Sequence, residues 1–261
     1  MNLIDDSFIL KCQAGLPIFY DDICAIYPET LRNIAEIGYD KFQSYLQIIM
    51  TKKPILEDIP ANEEMNALLD ALTDFDYFLM LTQLDKGFNE LAREAFFFFC
   101  REKVIFSIEP AQIVVGPIPE KHILGEEQFA FFQTMIKRIY FLDEGGKDEI
   151  IIYDTDSPLV KKMKKRQILN RERVAKAKAK QRAKEGTDIS FSDLVGSFAI
   201  GTGISLNEVY NLTYYAFQDQ LKRMGWREEY NTNSRAALAG AKIKKEQLKY
   251  WIRSIKNNDT K

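Results

Sequence analysis

The chain has 261 residues, 46% hydrophobic and 28% charged, with a formal net charge of −2. This is the composition of an ordinary globular protein, long enough to bury a real core in one large domain or two smaller ones. Whole-protein charge therefore selects no partner, and no apolar run approaches the roughly 20 residues of a membrane-spanning helix. Three cysteines, Cys12, Cys24 and Cys100, stand at no metal-ligand spacing. A buried free thiol at Cys100 and a reducing compartment are expected. The opening "MNLIDDSFILKCQAG" carries aspartates where a signal peptide would carry lysine or arginine, so the expectation is a cytosolic origin.

The first half reads as mostly helical. "YPETLRNIAEIGYDKFQSYLQIIMT" has apolar residues at Leu31, Ile34, Ile37, Phe42, Tyr45, Leu46 and Ile49, with Pro28 in the first turn and Gly38 bending or breaking the run. A second helical pattern starts at Asn62. A third, "GFNELAREAFFFFCRE", is so apolar at its end that it should be largely enclosed. The period then changes. "KVIFSI" and "QIVVG" flank Glu109-Pro110-Ala111 as a β-hairpin, "PIPEKHILG" is a loop, and "EEQFAFFQTMIKRIYFL" is again helical. "EIIIYD" (Glu149–Asp154) reads as a further short strand.

After Pro158 the composition shifts. From 161 to 184 the basic residues are Lys161, Lys162, Lys164, Lys165, Arg166, Arg171, Arg173, Lys176, Lys178, Lys180, Arg182 and Lys184, against one acid, Glu172. As one helix this segment would run about 36 Å, with like charges at three- and four-residue spacing opposing it until an acidic surface meets it. Beyond Gly186, "SFSDLVGSFAI", "SLNEVYNLTYYAFQDQLKRM" and "KKEQLKYWIRSI" form a helical module whose middle helix carries a capping box, Ser205 with Glu208. The expected architecture is mainly α: an N-terminal helical domain with a small β element (1–158), a basic linker helix (159–186) and a C-terminal helical module with a helix-turn-helix-like turn (187–261).

No catalytic, cofactor or metal residue is assigned, and an enzyme is not expected. His122 is the only histidine and sits in a proline-rich stretch with no nucleophile signature. "IGTG" lies between two helices at the wrong spacing for a phosphate loop. Tyr153–Ser157 offers two carboxylates, too few for a metal. The turn at Gly203 resembles that of a DNA reader, with Asn207, Tyr210, Asn211 and Tyr214 on the outward face of the second helix. Asparagine can read adenine, but no cation follows on that helix until Lys222, and affinity for DNA rests on phosphate neutralisation. The basic segment has no aromatic residue for base stacking.

"LNEVYNLTYYAFQDQLKRM", a tyrosine in "EEY", "AALAGAK" and a tryptophan in "KYWIRSI" together resemble the C-terminal part of a family from long-tailed bacteriophages of Gram-positive bacteria. The match is carried by Asn211, Leu212, Thr213, Gln218, Asp219, Arg223, Tyr230, Ala239, Gly240 and Trp251. The stretch "IYPETLRNIAEIGYDKFQSYLQII" resembles the opening helix of those proteins. The resemblance implies a non-enzymatic phage tail-assembly factor, chaperone-like, or a virion structural protein that acts by protein–protein binding. It implies tail or virion proteins as partners, then a homo-oligomer, with nucleic acid ranked below and no membrane. It places the protein in the host cytoplasm during assembly or in the virion. Tyr210, Tyr214, Asn207, Asn211 and Trp226 are the expected partner-binding residues; Tyr215 and Trp251 are expected to pack inside. The alternative is a nucleic-acid-binding regulator that uses the turn and the basic arm.

Overall fold

The computed structural model describes residues 5–20, 23–53, 71–116, 121–142, 189–244 and 248–252. The expected strand at Glu149–Asp154 and the whole basic segment from Lys161 to Lys184 lie outside these residues. The chain forms two compact units, one of residues 1–141 with 207–261 and one of residues 142–206. This grouping follows contacts rather than chain order.

The first unit opens with α1 (Asp6–Ala14), capped by the Asp5 carboxylate on the Phe8 N–H and closed by Gly15 at φ 69°. A short antiparallel hairpin follows, β1 (Ile18–Tyr20) and β2 (Ile23–Ile26), with Ile18 opposite Ile26. Two strands of three and four residues are too short to mark the sequence with a period of two, so the helical reading of this half passed over them. Pro28 stands before the next helix, not within it. Thr30 caps α2 (Leu31–Ile37) by accepting from the Asn33 N–H, and α3 (Tyr39–Ile49) begins after Gly38. Gly38 has φ 89° and ψ 139°, a conformation closed to residues with a Cβ, so the expected break is a clean change of helix.

Next come α4 (Asp74–Leu84), with a Thr73–Asp76 capping box, and α5 (Lys86–Cys100), capped by Asp85. The expected hairpin forms as β3 (Val104–Ser107) and β4 (Gln112–Val115), in register from Val104↔Val115 to Ser107↔Gln112. A third strand, β5 (His122–Leu124), adds to β4 in the antiparallel sheet β3-β4-β5, where the sequence suggested only a loop. Leu124 is buried opposite Ile113, whereas His122 and Ile123 are exposed. Helix α6 (Glu126–Ile139) closes this half.

In the second unit the described element is α7 (Phe191–Thr202). A Ser190–Asp193 capping box starts it, and Gly203 at φ 75° ends it by donating its N–H to the Ala199 carbonyl at 2.9 Å. Helices α8 (Leu206–Asn211) and α9 (Tyr214–Leu238) follow. The sequence pattern suggested one helix from Ser205 through Met224. The chain instead breaks at Leu212–Thr213, where Thr213 turns extended and caps α9 through the Ala216 N–H. Residues 241–244 and 248–252 form no α-helix, contrary to the last helix expected. The mainly α class with a small β element stands: nine helices, a two-stranded sheet and a three-stranded sheet among the described residues.

The core of the first unit is aromatic. Phe96 stacks on Phe132 at 5.1 Å, and Phe78, Phe106 and Phe129 continue the cluster. A second cluster centres on Phe42, whose ring meets Phe98, Tyr140 and Tyr214 at 5.3 to 6.2 Å. Edge-on and tilted geometries dominate, as the ring quadrupole favours.

Two segments far apart in the chain meet in this core. Thr30 and Thr213 form an antiparallel bridge, with the Leu31 N–H on the Leu212 carbonyl at 2.9 Å and the Tyr214 N–H on the Glu29 carbonyl at 2.8 Å. Thr213 also donates its hydroxyl to the Cys12 carbonyl at 2.8 Å. One buried threonine thus serves α1, α2 and α9 together. Replacing it by the isosteric valine keeps the volume but leaves the Ala216 N–H and the Cys12 carbonyl without their partner. Thr213→Val should lower stability by about 2 kcal/mol in equilibrium denaturation; a loss below about 0.5 kcal/mol would contradict this role.

Candidate functional site

A groove of about 530 Å³ opens on the first unit between α3, α5 and the start of β3. Its apolar surface comes from Ile37, Phe97, Phe98 and Val104, and Lys41, Arg93, Arg101 and Lys103 stand around it with one acid, Glu94. The local sequence explains the aromatic wall. Four phenylalanines in a row cannot all face one side of a helix at about 100° per residue. Ala92, Ala95, Phe96 and Phe99 make the buried stripe at helical spacing, and Phe97 is left 54% exposed. The end of α5 is largely enclosed, as its apolarity led one to expect, with Phe97 as the exception.

The charged groups differ in what holds them. Glu94 takes Lys41 at 3.0 Å and the Tyr45 hydroxyl at 3.0 Å, and the Lys41 bond holds its carboxyl below the usual range. The Arg101 guanidinium reaches Glu29 at 2.5 Å and lies 5.6 Å over the Tyr27 ring. Arg101 sits at φ 63°, a left-handed position that costs a non-glycine residue about 1 kcal/mol, and it closes α5 through the Phe97 carbonyl. Arg93 gives its Nε–H to Asn89, one turn earlier on α5, at 2.7 Å. Among the described residues neither Arg93 nor Lys103 has a carboxylate within ion-pairing distance.

Glu29 is 1% exposed, and its carboxylate also accepts from Asn33 at 2.6 Å. Burial pushes its pKa up, and the opposing effects of Asn33 and Arg101 do not cancel it. The backbone N–H of Glu29 donates to the Tyr140 hydroxyl at 3.2 Å, itself buried, with its pKa raised by desolvation.

The sequence-derived candidates fall in different environments. Tyr214 does not face outward. It is 8% exposed and packs on Phe42 and Tyr140, because the break at Thr213 restarts the helix and turns its first residue into the core. Burial raises its hydroxyl pKa well above the ordinary value. Tyr210 is half-buried on α8. Asn207 and Asn211 are exposed, and both accept from Arg32 of α2: Nη2 to Asn207 at 2.7 Å, Nε and Nη2 to Asn211 at 3.2 Å. A cation thus reaches the asparagines from 175 residues away in the chain, a juxtaposition that no helix period could reveal. Trp226 is half-buried with Lys222 5.6 Å over its ring. Tyr215 is buried against Phe8 and Phe141, and Trp251 is half-buried. Lys161, Lys162, Lys164, Lys165, Arg166, Arg171 and Arg173 lie outside the described residues. The cysteines are free and buried, with Cys24 and Cys100 sulfurs 3.2 Å apart. Among the described residues no cluster of three or more metal-ligating side chains occurs, and no helix is long and apolar enough to cross a membrane.

Several residues of the phage resemblance serve as joints. Asn211 holds Arg32, Leu212 and Thr213 bridge to α2, and Asp219 takes Gln13 at 2.7 Å and Arg223 at 2.8 Å while 2% exposed.

Two measurements follow from these placements. Tyr214→Ala should cost about 3–5 kcal/mol, whereas Tyr210→Ala should stay within about 1 kcal/mol, read from denaturation midpoints. Equal costs would contradict the burial. Glu29 has a folded pKa above its unfolded value, so its stabilising share is complete below the unfolded pKa and is lost as pH rises through the folded one. Glu29→Gln removes that titration. The stability of the wild type relative to this variant should fall as pH rises above the ordinary carboxylate range; a rise would reverse the sign assigned to burial.

Residues 178–256 match a family model described as the YomV second domain. The match covers less than a third of the chain and includes α7, α8 and α9. No curated protein and no solved structure matches the chain. The YomV match points to a phage-type protein.

Proposed function

We propose that the chain is a non-enzymatic phage protein of tail assembly, chaperone-like, or of the virion, working by protein–protein binding. The phage setting is supported by the YomV-type match over 178–256. The binding role rests on one observation: α9 runs on well past its last buried residue. Of its 25 residues only Tyr214, Tyr215, Ala216, Phe217 and Asp219 are buried. The remaining stretch from Gln220 to Leu238 makes about five further turns. Many of these residues are half-buried and none is fully buried, so the stretch keeps surface to offer a partner, with Trp226 and Tyr230 as its large aromatic residues. Trp226 remains a partner-binding candidate, joined by half-buried Tyr210.

Besides the basic arm in the sequence, the regulator reading has one structural observation in its favour, the Arg32 guanidinium held against Asn207 and Asn211. One cation neutralises one phosphate, which is little affinity by itself.

Epitope-tagged chain followed through sedimentation of lysates from phage-producing cells tests the proposal. It should travel with tail intermediates or virions, with tail or virion proteins identified beside it by mass spectrometry. Free chain in every fraction, or chain found only on nucleic acid released by salt, would sink the reading.

A further inference from the structure

The groove between α3, α5 and β3 has a chemistry of its own. Its wall offers an aromatic ring already half in water, Phe97, beside the apolar surfaces of Ile37, Phe98 and Val104. An exposed phenylalanine at the mouth of a cavity loses hydration when a second apolar side chain covers it. The surrounding charge is lopsided: four cations against one carboxylate. Glu94 is already taken by Lys41 and Tyr45, and Arg101 by Glu29. The charge left over is Arg93, with only its Nε–H committed, and Lys103. Both line the groove together with Phe97.

We propose that this groove binds an acidic segment of a partner protein, one that seats an aromatic or leucine side chain against Phe97 and pairs its carboxylates with Arg93 and Lys103. Helix-in-groove recognition has this form, with an apolar anchor for affinity and flanking charges for choice of partner. The two unpaired cations are too few to hold a nucleic acid, whose binding grows with the number of phosphates neutralised. An apolar anchor with adjacent acids satisfies both halves of the site at once. The proposal rests on the protein-binding reading above and specifies one surface for it.

Selection of a random displayed peptide library on the full chain tests it. Recovered peptides should be enriched in aspartate and glutamate beside phenylalanine, tryptophan or leucine. Their binding, measured by fluorescence anisotropy, should weaken about tenfold or more in Phe97→Ser and in the double variant Arg93→Glu/Lys103→Glu, and should weaken as salt is raised. Arg93→Lys/Lys103→Arg should retain it. Phe97 is exposed, so Phe97→Ser should melt with the wild type, and the charge variants test the site independently of that ring. Recovery of no peptide, of neutral or basic peptides, or of peptides that bind the variants equally well would overturn the assignment. So would a single-stranded oligonucleotide that binds with the same sensitivity to the variants. The two proposals fail separately. If Phe97→Ser chain still travels with tail or virion proteins while no acidic peptide is recovered, the groove assignment falls and the phage-protein reading stands. If acidic peptides bind as expected but the chain never joins those fractions, the reverse holds.

Discussion

A carboxylate removed from water must be met by donors, and much of the first unit is arranged around meeting Glu29. Its side chain takes Asn33 from the same helix region and Arg101 from the end of α5. Its backbone N–H donates to the Tyr140 hydroxyl on one side, and its carbonyl accepts from the Tyr214 N–H on the other. The left-handed backbone of Arg101 fits this demand: a glycine would close α5 with less strain but would carry no guanidinium. Beside Glu29, Thr30 bridges to Thr213, so the polar crossing and the aromatic cluster of Phe42, Tyr140 and Tyr214 share one location. A buried polar network of this kind specifies which chain segments may lie together, since a mispaired arrangement leaves a charge or an amide unsatisfied.

What could be read from the sequence follows from the range of the forces involved. The change of helix at Gly38, the hairpin around Pro110 and the end of α7 at Gly203 are set by neighbours within a few residues, and all three were legible. The break at Leu212–Thr213 was not. The run from Ser205 to Met224 keeps a helical pattern throughout, and only the crossing with Glu29 and Thr30 rewards an extended threonine there. The same break buries Tyr214, which a continuous helix would have turned outward. Likewise Arg32 reaches Asn207 and Asn211 from the other end of the chain, so the cation missing from that helix was in the sequence but not near it. β5 fails for a third reason: three residues are too few to display a period.

The groove occupies an intermediate position. The phenylalanine run and the alanines before it contain the information that one ring must face away from the core, because the helical angle allows no other outcome. The cations beside it are scattered over positions 41, 93, 101 and 103, and only the packing of α3 on α5 gathers them. An apolar run in a sequence thus signals burial for the helix as a whole while leaving single positions free for another use.

The crossing of Thr30 with Thr213 also has a bearing on how the protein is made. Cys12 and Gln13 wait for Thr213 and Asp219, more than 200 residues later, so the contacts that close the unit are among the most distant in the chain. Such contacts form slowly. On the ribosome, Phe42 and Tyr140 are synthesised well before Tyr214 arrives to cover them. The nascent chain therefore carries an uncovered aromatic surface through the making of residues 142–206, and α9 acts as the latch.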